Sequence, residues 1–433
     1  MTAIVGVLNS RAFAIAADSA VTVTGNNGKK VYNRSNKVFT LSKIHPVGIA
    51  IYSSADFLGI PLETIIKLYR QNLREKHFDK IEDYKQNFLT YLKSLVADVS
   101  PEMKRDNFYA FCGQSYHPLV KALMEKLATM NLQGLQPQEI EAQYDDSVTA
   151  AIAEQRAVID KLDKTNYITK DFAEFKAAHQ VQLTDIANYI LGKIREKDPA
   201  YNLKQANINT LEDLFYQMIN VQWIFETLNG LVFFGFGEKE MYPVTAQVLI
   251  GSTICDIPRI RSMGEVKILP GVLNSSINPY AQSDVTNTVL TGVDPNYINE
   301  MEKSIRSSFG DVSTEIAPHI DPAKLPAVTS AINNISEALI KKLNEFQFST
   351  ITGPLLDILA HMGKEDMAEL AESLVNITSL KRKFTSSDSS DESVGGPVDV
   401  AVITKGDGFI WIKRKHYFNM ENNTGFSEKY LKF

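Results

Sequence analysis

The residue of this chain with the clearest potential for chemistry is Thr2, at the second position of the sequence. Removal of Met1 would leave one residue carrying both a hydroxyl group and a free α-amine. A threonine hydroxyl is a poor nucleophile until a nearby base takes its proton. An α-amine has an ordinary pKa of about 7.7–8.0, so it is partly neutral near pH 7 and can act as that base. Thr2 is therefore a candidate nucleophile that supplies its own proton acceptor.

A predicted β-hairpin brings an acid next to this threonine. Residues 3–8 and 12–17 are apolar and strand-like, and a polar turn of three residues, 9–11, separates them. If Leu8 pairs with Ala12, the numbers of paired residues sum to 20, and Asp18 lies directly opposite Thr2. Paired residues share a face of the hairpin, with Cβ atoms about 5 Å apart.

Composition excludes several classes of protein. The 433 residues are 44% hydrophobic and 22% charged, which is typical of a folded chain rather than a disordered one. A net charge of −6 gives no basic footprint for nucleic acid. The two cysteines, Cys112 and Cys255, predict neither a disulfide framework nor a cysteine metal site. No metal site, no cofactor and no membrane span are expected, and a cytoplasmic location fits best.

The order of elements predicts an α+β protein with two layered sheets. Four strands and two helices open the chain, strand patterns resume at 231–237 and 242–250, and a hairpin closes it at 398–413. Helices are predicted over 295–308, 326–346 and 353–382. Strands at both ends with helices between them favour a sandwich of two sheets covered by helices on its outer faces.

Five segments are predicted from these changes in pattern. They are a first half of the core, a helical insertion, a second strand block, a helical region, and a closing loop with hairpin and tail, at 1–97, 98–228, 229–310, 311–384 and 385–433.

Four short motifs resemble one known family. Thr2-x-x-Val5-Gly6-Val7, Ile15-Ala16-Ala17-Asp18-Ser19, Asn36-Lys37-Val38-Phe39 and Val47-Gly48-Ile49-Ala50 occur in the order and approximate spacing of proteasome β-type subunits. Those proteins are N-terminal nucleophile (Ntn) hydrolases with a four-layer αββα sandwich. The resemblance is strong over residues 2–56 and extends to about half the chain, whereas the insertion at 98–228 has no counterpart in a standard subunit.

The resemblance implies roles for individual residues. Thr2 matches the catalytic threonine, Lys37 the catalytic lysine, and Asp18 the acid that orients this lysine. Ser283 matches a serine near the amino group, and Asp391 matches a second acid near it.

Two further positions are implied to bind substrate. Thr22 matches a residue whose backbone binds the substrate chain. The family usually has a glycine whose N–H forms the oxyanion hole, and Ser53 occupies that position here. A backbone donor does not require glycine, so the Ser53 N–H is a candidate oxyanion donor.

The sequence thus predicts a threonine-type peptidase or amidase that acts on peptides or unfolded protein. The resemblance also implies a homo-oligomer, and an ATPase or adaptor partner stays open. Two alternatives are an Ntn amidase for a small-molecule or capped-peptide amide, and a non-catalytic subunit that retains Met1. The interpretation without catalysis is that Asp18 simply ends one strand and that Lys37 is a solvated charge beside another strand.

Overall fold

The computed structural model describes residues 2–25, 28–32, 35–165, 167–168, 170–202, 204–222, 228–385, 395–416, 418–419 and 421–425. Their strands, in chain order, are β1 Ile4–Asn9, β2 Phe13–Ala17, β3 Val21–Gly25, β4 Gly28–Tyr32, β5 Val38–Thr40, β6 Val47–Ser53, β7 Asp56–Phe57, β8 Ile60–Pro61, β9 Asn229–Gly235, β10 Val244–Ile254, β11 Ile257–Lys267, β12 Ser275–Ala281, β13 Asp399–Thr404 and β14 Gly408–Lys413.

The α-helices are α1 Leu62–Leu73, α2 Ile81–Leu95, α3 Pro101–Ser115, α4 His117–Thr129, α5 Pro137–Ile159, α6 Phe172–Arg195, α7 Gln205–Ile219, α8 Ser283–Thr291, α9 Pro295–Ile316, α10 Leu325–Gln347, α11 Gly353–His361 and α12 Lys364–Thr385. The predicted α+β class is confirmed. The prediction of one helix over 353–382 is wrong, because the chain leaves the helix at Met362 (φ −63°, ψ 143°) and Gly363 follows.

Two antiparallel five-stranded sheets form the centre of the molecule. The first sheet has the order β12-β1-β2-β13-β14, and the second has the order β11-β10-β9-β6-β5. One apolar cluster joins the facing sides of the two sheets, where the rings of Phe13 and Phe234 stack with centroids 4.7 Å apart. Gly48 leaves room for this ring of Phe234, since a Cβ there would lie 2.3 Å from it.

Helices pack on the outer side of each sheet. A cluster on the second sheet includes the apolar faces of α1 and α2. A cluster on the first sheet includes residues of α11 and α12. The clusters therefore follow the order helix, sheet, sheet, helix. That this order is the αββα sandwich of Ntn hydrolases stays a prediction.

Helices α3–α7 have a hydrophobic core of their own. It contains aromatic side chains from four of these helices, among them Phe108, Tyr144, Phe175 and Phe215, and it reaches Ile254 at the end of β10. The helical character expected within 98–228 is present, while the five segment boundaries stay predictions.

The register of the first hairpin differs from the predicted one. Ile4 pairs with Ala17 and Leu8 with Phe13, so the numbers of paired residues sum to 21. The cause is the turn: the Asn9 N–H donates to the Ala12 carbonyl at 3.2 Å, which leaves a loop of two residues instead of three. Thr2 therefore does not lie directly opposite Asp18, whose partner across the hairpin is Ala3.

Candidate active site

Asp18 is the centre of a buried hydrogen-bond network at the open end of the first hairpin. Its Oδ1 accepts hydrogen bonds from the Ala3 N–H at 2.9 Å and from Lys37 Nζ at 2.6 Å. Its Oδ2 accepts from the N–H groups of Ala20 at 3.2 Å and Gly395 at 3.1 Å. Three backbone N–H donors and one ammonium donor therefore converge on this buried carboxylate.

Lys37 reaches this carboxylate from the second sheet, where it directly precedes β5. Its Nζ also donates to the Ala20 carbonyl at 2.6 Å. Side-chain exposure is 4% for Lys37 and zero for Asp18, so the ion pair is buried. Burial lowers the pKa of Lys37; the Asp18 carboxylate opposes this shift, and the charge of Lys415 adds to it. The predicted contact between Lys37 and Asp18 is thus present.

Thr2 directly precedes Ala3, whose N–H donates a hydrogen bond to Asp18. Because the Ala3 N–H binds Asp18 Oδ1, covalent geometry places the Cα of Thr2 within about 6 Å of that oxygen. Thr2 itself is 7% exposed. The corrected register therefore keeps Thr2 beside the ion pair, through the backbone of its neighbour rather than through a cross-strand side-chain pair.

Ser53 has the backbone conformation expected at a position where glycine is usual. It ends β6 with φ +71°, in the left-handed region, and its side chain is exposed. Its strand neighbour Ile51 donates its N–H to the Lys37 carbonyl at 2.8 Å, so β6 runs alongside Lys37. A non-glycine residue in this conformation is strained, and such strain is common at functional sites.

The remaining predicted residues are placed less fully. Thr22 lies in β3, where it pairs with Val31; its side chain lies outside the described part of the chain. Ser283 is exposed and begins α8, two residues after Ala281, which pairs with Ile4. It therefore lies at the same end of the first sheet as Thr2, and its place near an amino group stays a prediction. Asp391 lies outside the described residues.

Sequence reasoning missed the backbone partners of the site. The N–H groups of Gly395 and Ala20 donate hydrogen bonds to Asp18, and the Ala20 carbonyl accepts one from Lys37. Backbone groups are present in every residue, so residue type gave no signal for them.

A second buried charge pair lies close enough to act on Lys37. Lys415 Nζ binds the carboxylate of buried Asp399, and the Lys415 N–H donates to the same carboxylate at 2.9 Å. Lys415 follows other basic residues in the sequence, and such a run by itself indicates only a charged surface.

Within the described residues, no group of three or more histidine, cysteine, aspartate or glutamate side chains could hold a metal ion. Among the same residues, no helix combines the length and apolar character needed to cross a bilayer.

Comparisons with known proteins give little help in assigning this site. No family model and no curated protein matches the chain. Among solved structures, the chain is similar to Anbu (ancestral beta-subunit) from Yersinia bercovieri, with 8% sequence identity and a TM-score of 0.23 over 99% of this chain and 94% of that one. A score this low supports no assignment of fold or function, so any assignment depends on the residues described above.

Proposed function

We propose that this protein is an N-terminal threonine hydrolase that cleaves peptide or amide bonds, built on an αββα sandwich of the Ntn type. The observation that carries the proposal is the buried ion pair between Lys37 and Asp18, held by a backbone hydrogen bond directly beside Thr2. The order of the apolar clusters, with helices outside two facing sheets, supports the fold.

The burial of this pair argues for a role beyond stability. Taking two charges out of water is expensive, and a buried ion pair often contributes no more stability than apolar residues of similar volume. Here the pair stands at the end of a hairpin whose other residues are almost entirely apolar and buried. An ammonium group at this place can tune the ionisation of a neighbouring amine, which an apolar pair could not do.

The proposed reaction follows from these positions. The free amine of Thr2 takes the proton of the Thr2 hydroxyl as the oxygen attacks the substrate carbonyl. The Lys37 ammonium lowers the pKa of this amine by like-charge proximity and favours its neutral form, while Asp18 holds Lys37 in place. The Ser53 N–H donates to the tetrahedral oxyanion, the leaving amine departs with the proton, and water then releases the acyl group from Thr2.

The proposed substrate is an extended peptide or unfolded protein, bound along backbone groups near Thr22 and Ser53 by added-strand pairing. A homo-oligomer belongs to the same proposal, and so does an ATPase or adaptor as a partner. Light scattering of the purified chain tests the oligomer, since a mass equal to that of one chain would contradict it.

The decisive experiment combines intact mass with active-site labelling. The processed protein is expected to lack Met1 and to bind one threonine-directed electrophile per chain, with Thr2→Ser also labelled and Thr2→Ala not. Equal labelling of the original protein and Thr2→Ala would refute Thr2 as the nucleophile. A chain that retains Met1 and is not labelled would instead indicate a non-catalytic subunit.

A second measurement separates the two hydrolase alternatives. A library of unstructured peptides and a set of small capped amides are offered to the processed protein and to Thr2→Ala. Turnover of peptides that Thr2→Ala lacks supports the peptidase, whereas turnover confined to small amides would replace it by an amidase.

A further inference from the structure

A second group of reactive side chains lies away from Thr2, where the turn between β10 and β11 meets α3 and α6. The Sγ atom of Cys255 is 3.2 Å from Nε2 of His179. Both residues line a cavity of about 340 Å³. Sequence reasoning did not find this pair, because its members are 76 positions apart in the chain.

The histidine is positioned as a proton acceptor. His179 interrupts α6 with non-helical dihedral angles (φ −125°, ψ 19°), and its ring stacks on Phe108 with centroids 4.6 Å apart. Burial lowers the pKa of His179, and the charge of Lys170 lowers it further. A neutral imidazole can accept the proton of a thiol when the sulfur attacks.

The cysteine is held in reach of both the cavity and this base. Cys255 is half-buried, with φ +50°, in a turn where Asp256 also has a positive φ. Burial raises the pKa of its thiol, so Cys255 keeps its proton until a base takes it. The other cysteine, Cys112, is buried, and burial raises its pKa strongly. The two thiols thus provide an internal comparison.

One cation beside the reactive pair favours an anionic reagent. Of the three cationic side chains that line the cavity, Lys104 pairs with Asp256 at 2.9 Å, and Arg105 pairs with Asp106 at 3.5 Å and with Glu102 at 3.8 Å. The third, Lys170, lies close enough for its charge to lower the pKa of both His179 and Cys255. This charge favours a reagent that carries carboxylates.

We propose that Cys255 is a modification site that forms a mixed disulfide with a small anionic disulfide. The Cys255 thiol passes its proton to His179 as its sulfur attacks one sulfur of the reagent. The new bond joins Cys255 Sγ to that sulfur, the bond between the two reagent sulfurs breaks, and the departing thiolate takes the proton from His179. The reagent is the only oxidant: one half of it stays bound to Cys255, and the other half leaves as one equivalent of thiol.

This site is independent of the threonine chemistry and joins two parts of the molecule. Cys255 belongs to the hairpin of the second sheet, while His179 belongs to the helices α3–α7. A group attached to Cys255 would therefore sit between the sheet and these helices.

The test compares two disulfides of opposite charge on the full chain. Oxidised glutathione is anionic and cystamine is cationic, and peptide mass mapping gives the rate at each cysteine. Each rate is divided by that of the same cysteine in the urea-unfolded chain. We expect oxidised glutathione to modify Cys255 at least about tenfold faster than Cys112, and cystamine to show no such advantage.

Variants assign the roles. Cys255→Ser is expected to abolish the fast phase, and Cys112→Ser to leave it unchanged. His179→Gln should slow modification of Cys255 by both reagents about tenfold or more. Lys170→Gln, at an exposed position, should slow only the anionic reagent.

Two results would overturn the proposal. One is a Cys255 rate with oxidised glutathione no greater than that of Cys112. The other is a ratio between the two reagents that Lys170→Gln leaves unchanged. If His179→Gln does not fold, as judged by circular dichroism, the Lys170 variant still decides the outcome.

Discussion

At the scale of single residues, the site is organised by one carboxylate that binds more groups than its sequence context suggests. Asp18 accepts hydrogen bonds from three backbone N–H groups in addition to the ammonium group of Lys37. The carboxylate is therefore compensated by the backbone even without Lys37. Among the contacts described for Lys37, by contrast, Asp18 is the one negatively charged partner.

This asymmetry predicts unequal effects of two substitutions on stability. Asp18→Asn leaves a buried ammonium group uncompensated and turns an amide NH₂ toward backbone donors, so we expect a loss of about 3–5 kcal/mol in the free energy of unfolding. Lys37→Met leaves Asp18 with its three N–H donors, and a loss of less than about 2 kcal/mol is expected. Urea unfolding measures both. A larger loss for Lys37→Met would contradict this account of the network.

The lowered pKa of Lys37 predicts opposite effects of pH on activity and on stability. The Lys37 ammonium is lost on raising the pH through a value below its ordinary 10.5, so the alkaline limb of kcat/KM should lie below pH 10.5. Between the pKa of Lys37 in the folded chain and its ordinary 10.5, the unfolded chain binds more protons than the folded one. The free energy of unfolding should therefore rise with pH in this range. Lys37→Met should lack this rise. A rise of the same size in both proteins would assign it to another group.

The conformation of Ser53 predicts that glycine is tolerated there. Ser53→Gly keeps the N–H and removes the strain of φ +71°, so we expect retained turnover and a gain of about 1 kcal/mol in stability relative to Ser53→Ala, which keeps the strain. Unfolding midpoints and peptide turnover of the two variants measure this. Loss of turnover in Ser53→Gly alone would show that the serine side chain takes part.

At the scale of elements, a single asparagine fixes the hairpin that carries the site. The Oδ1 atom of buried Asn9 accepts hydrogen bonds from the N–H groups of Arg11 at 2.9 Å and Ala12 at 3.3 Å. Its Nδ2 donates to the carbonyls of Leu359 and Met362, each at 3.0 Å. The side chain therefore closes the two-residue turn and also ties it to the end of α11.

Removal of this side chain is expected to weaken the whole hairpin. Asn9→Ala loses four hydrogen bonds and leaves two carbonyls at the end of α11 without this donor, so a loss of about 2–4 kcal/mol is expected. Ser10→Ala, in the loop itself, should change stability by less than about 0.5 kcal/mol. Thermal and urea unfolding compare the two. Similar small effects would show that the turn is held by the strands alone.

At the scale of the whole molecule, a buried arginine connects the second sheet to the helices α3–α7. The guanidinium group of Arg259, in β11, lies 5.0 Å from the ring centre of Phe111 and 5.6 Å from that of Tyr167. It also donates to the carbonyls of Met218 at 3.4 Å and Val221 at 3.5 Å. This side chain therefore joins β11 to α3 and α7.

Replacement of this arginine should loosen the helices more than the sheets. Arg259→Met is expected to lose about 2–3 kcal/mol of stability and to speed amide hydrogen exchange in α3 and α7, with little change in β1 and β2. Arg261→Met, on the same strand but only half-buried, serves as the control. Equal acceleration across both sheets and the helices would mean that these parts unfold as one unit.

The sequence determined the α+β class, the opening hairpin, and the association of Asp18 with Lys37 that the family resemblance implied, because apolar pattern and motif order are local properties of a chain. It could not determine the hairpin register. Both faces of β1 and β2 are apolar, so a shift by one residue changes no pattern, and the Asn9 turn decides it. Only the tertiary structure brought the backbone of Gly395 to Asp18 and the thiol of Cys255 to His179, since such contacts join distant segments through packing.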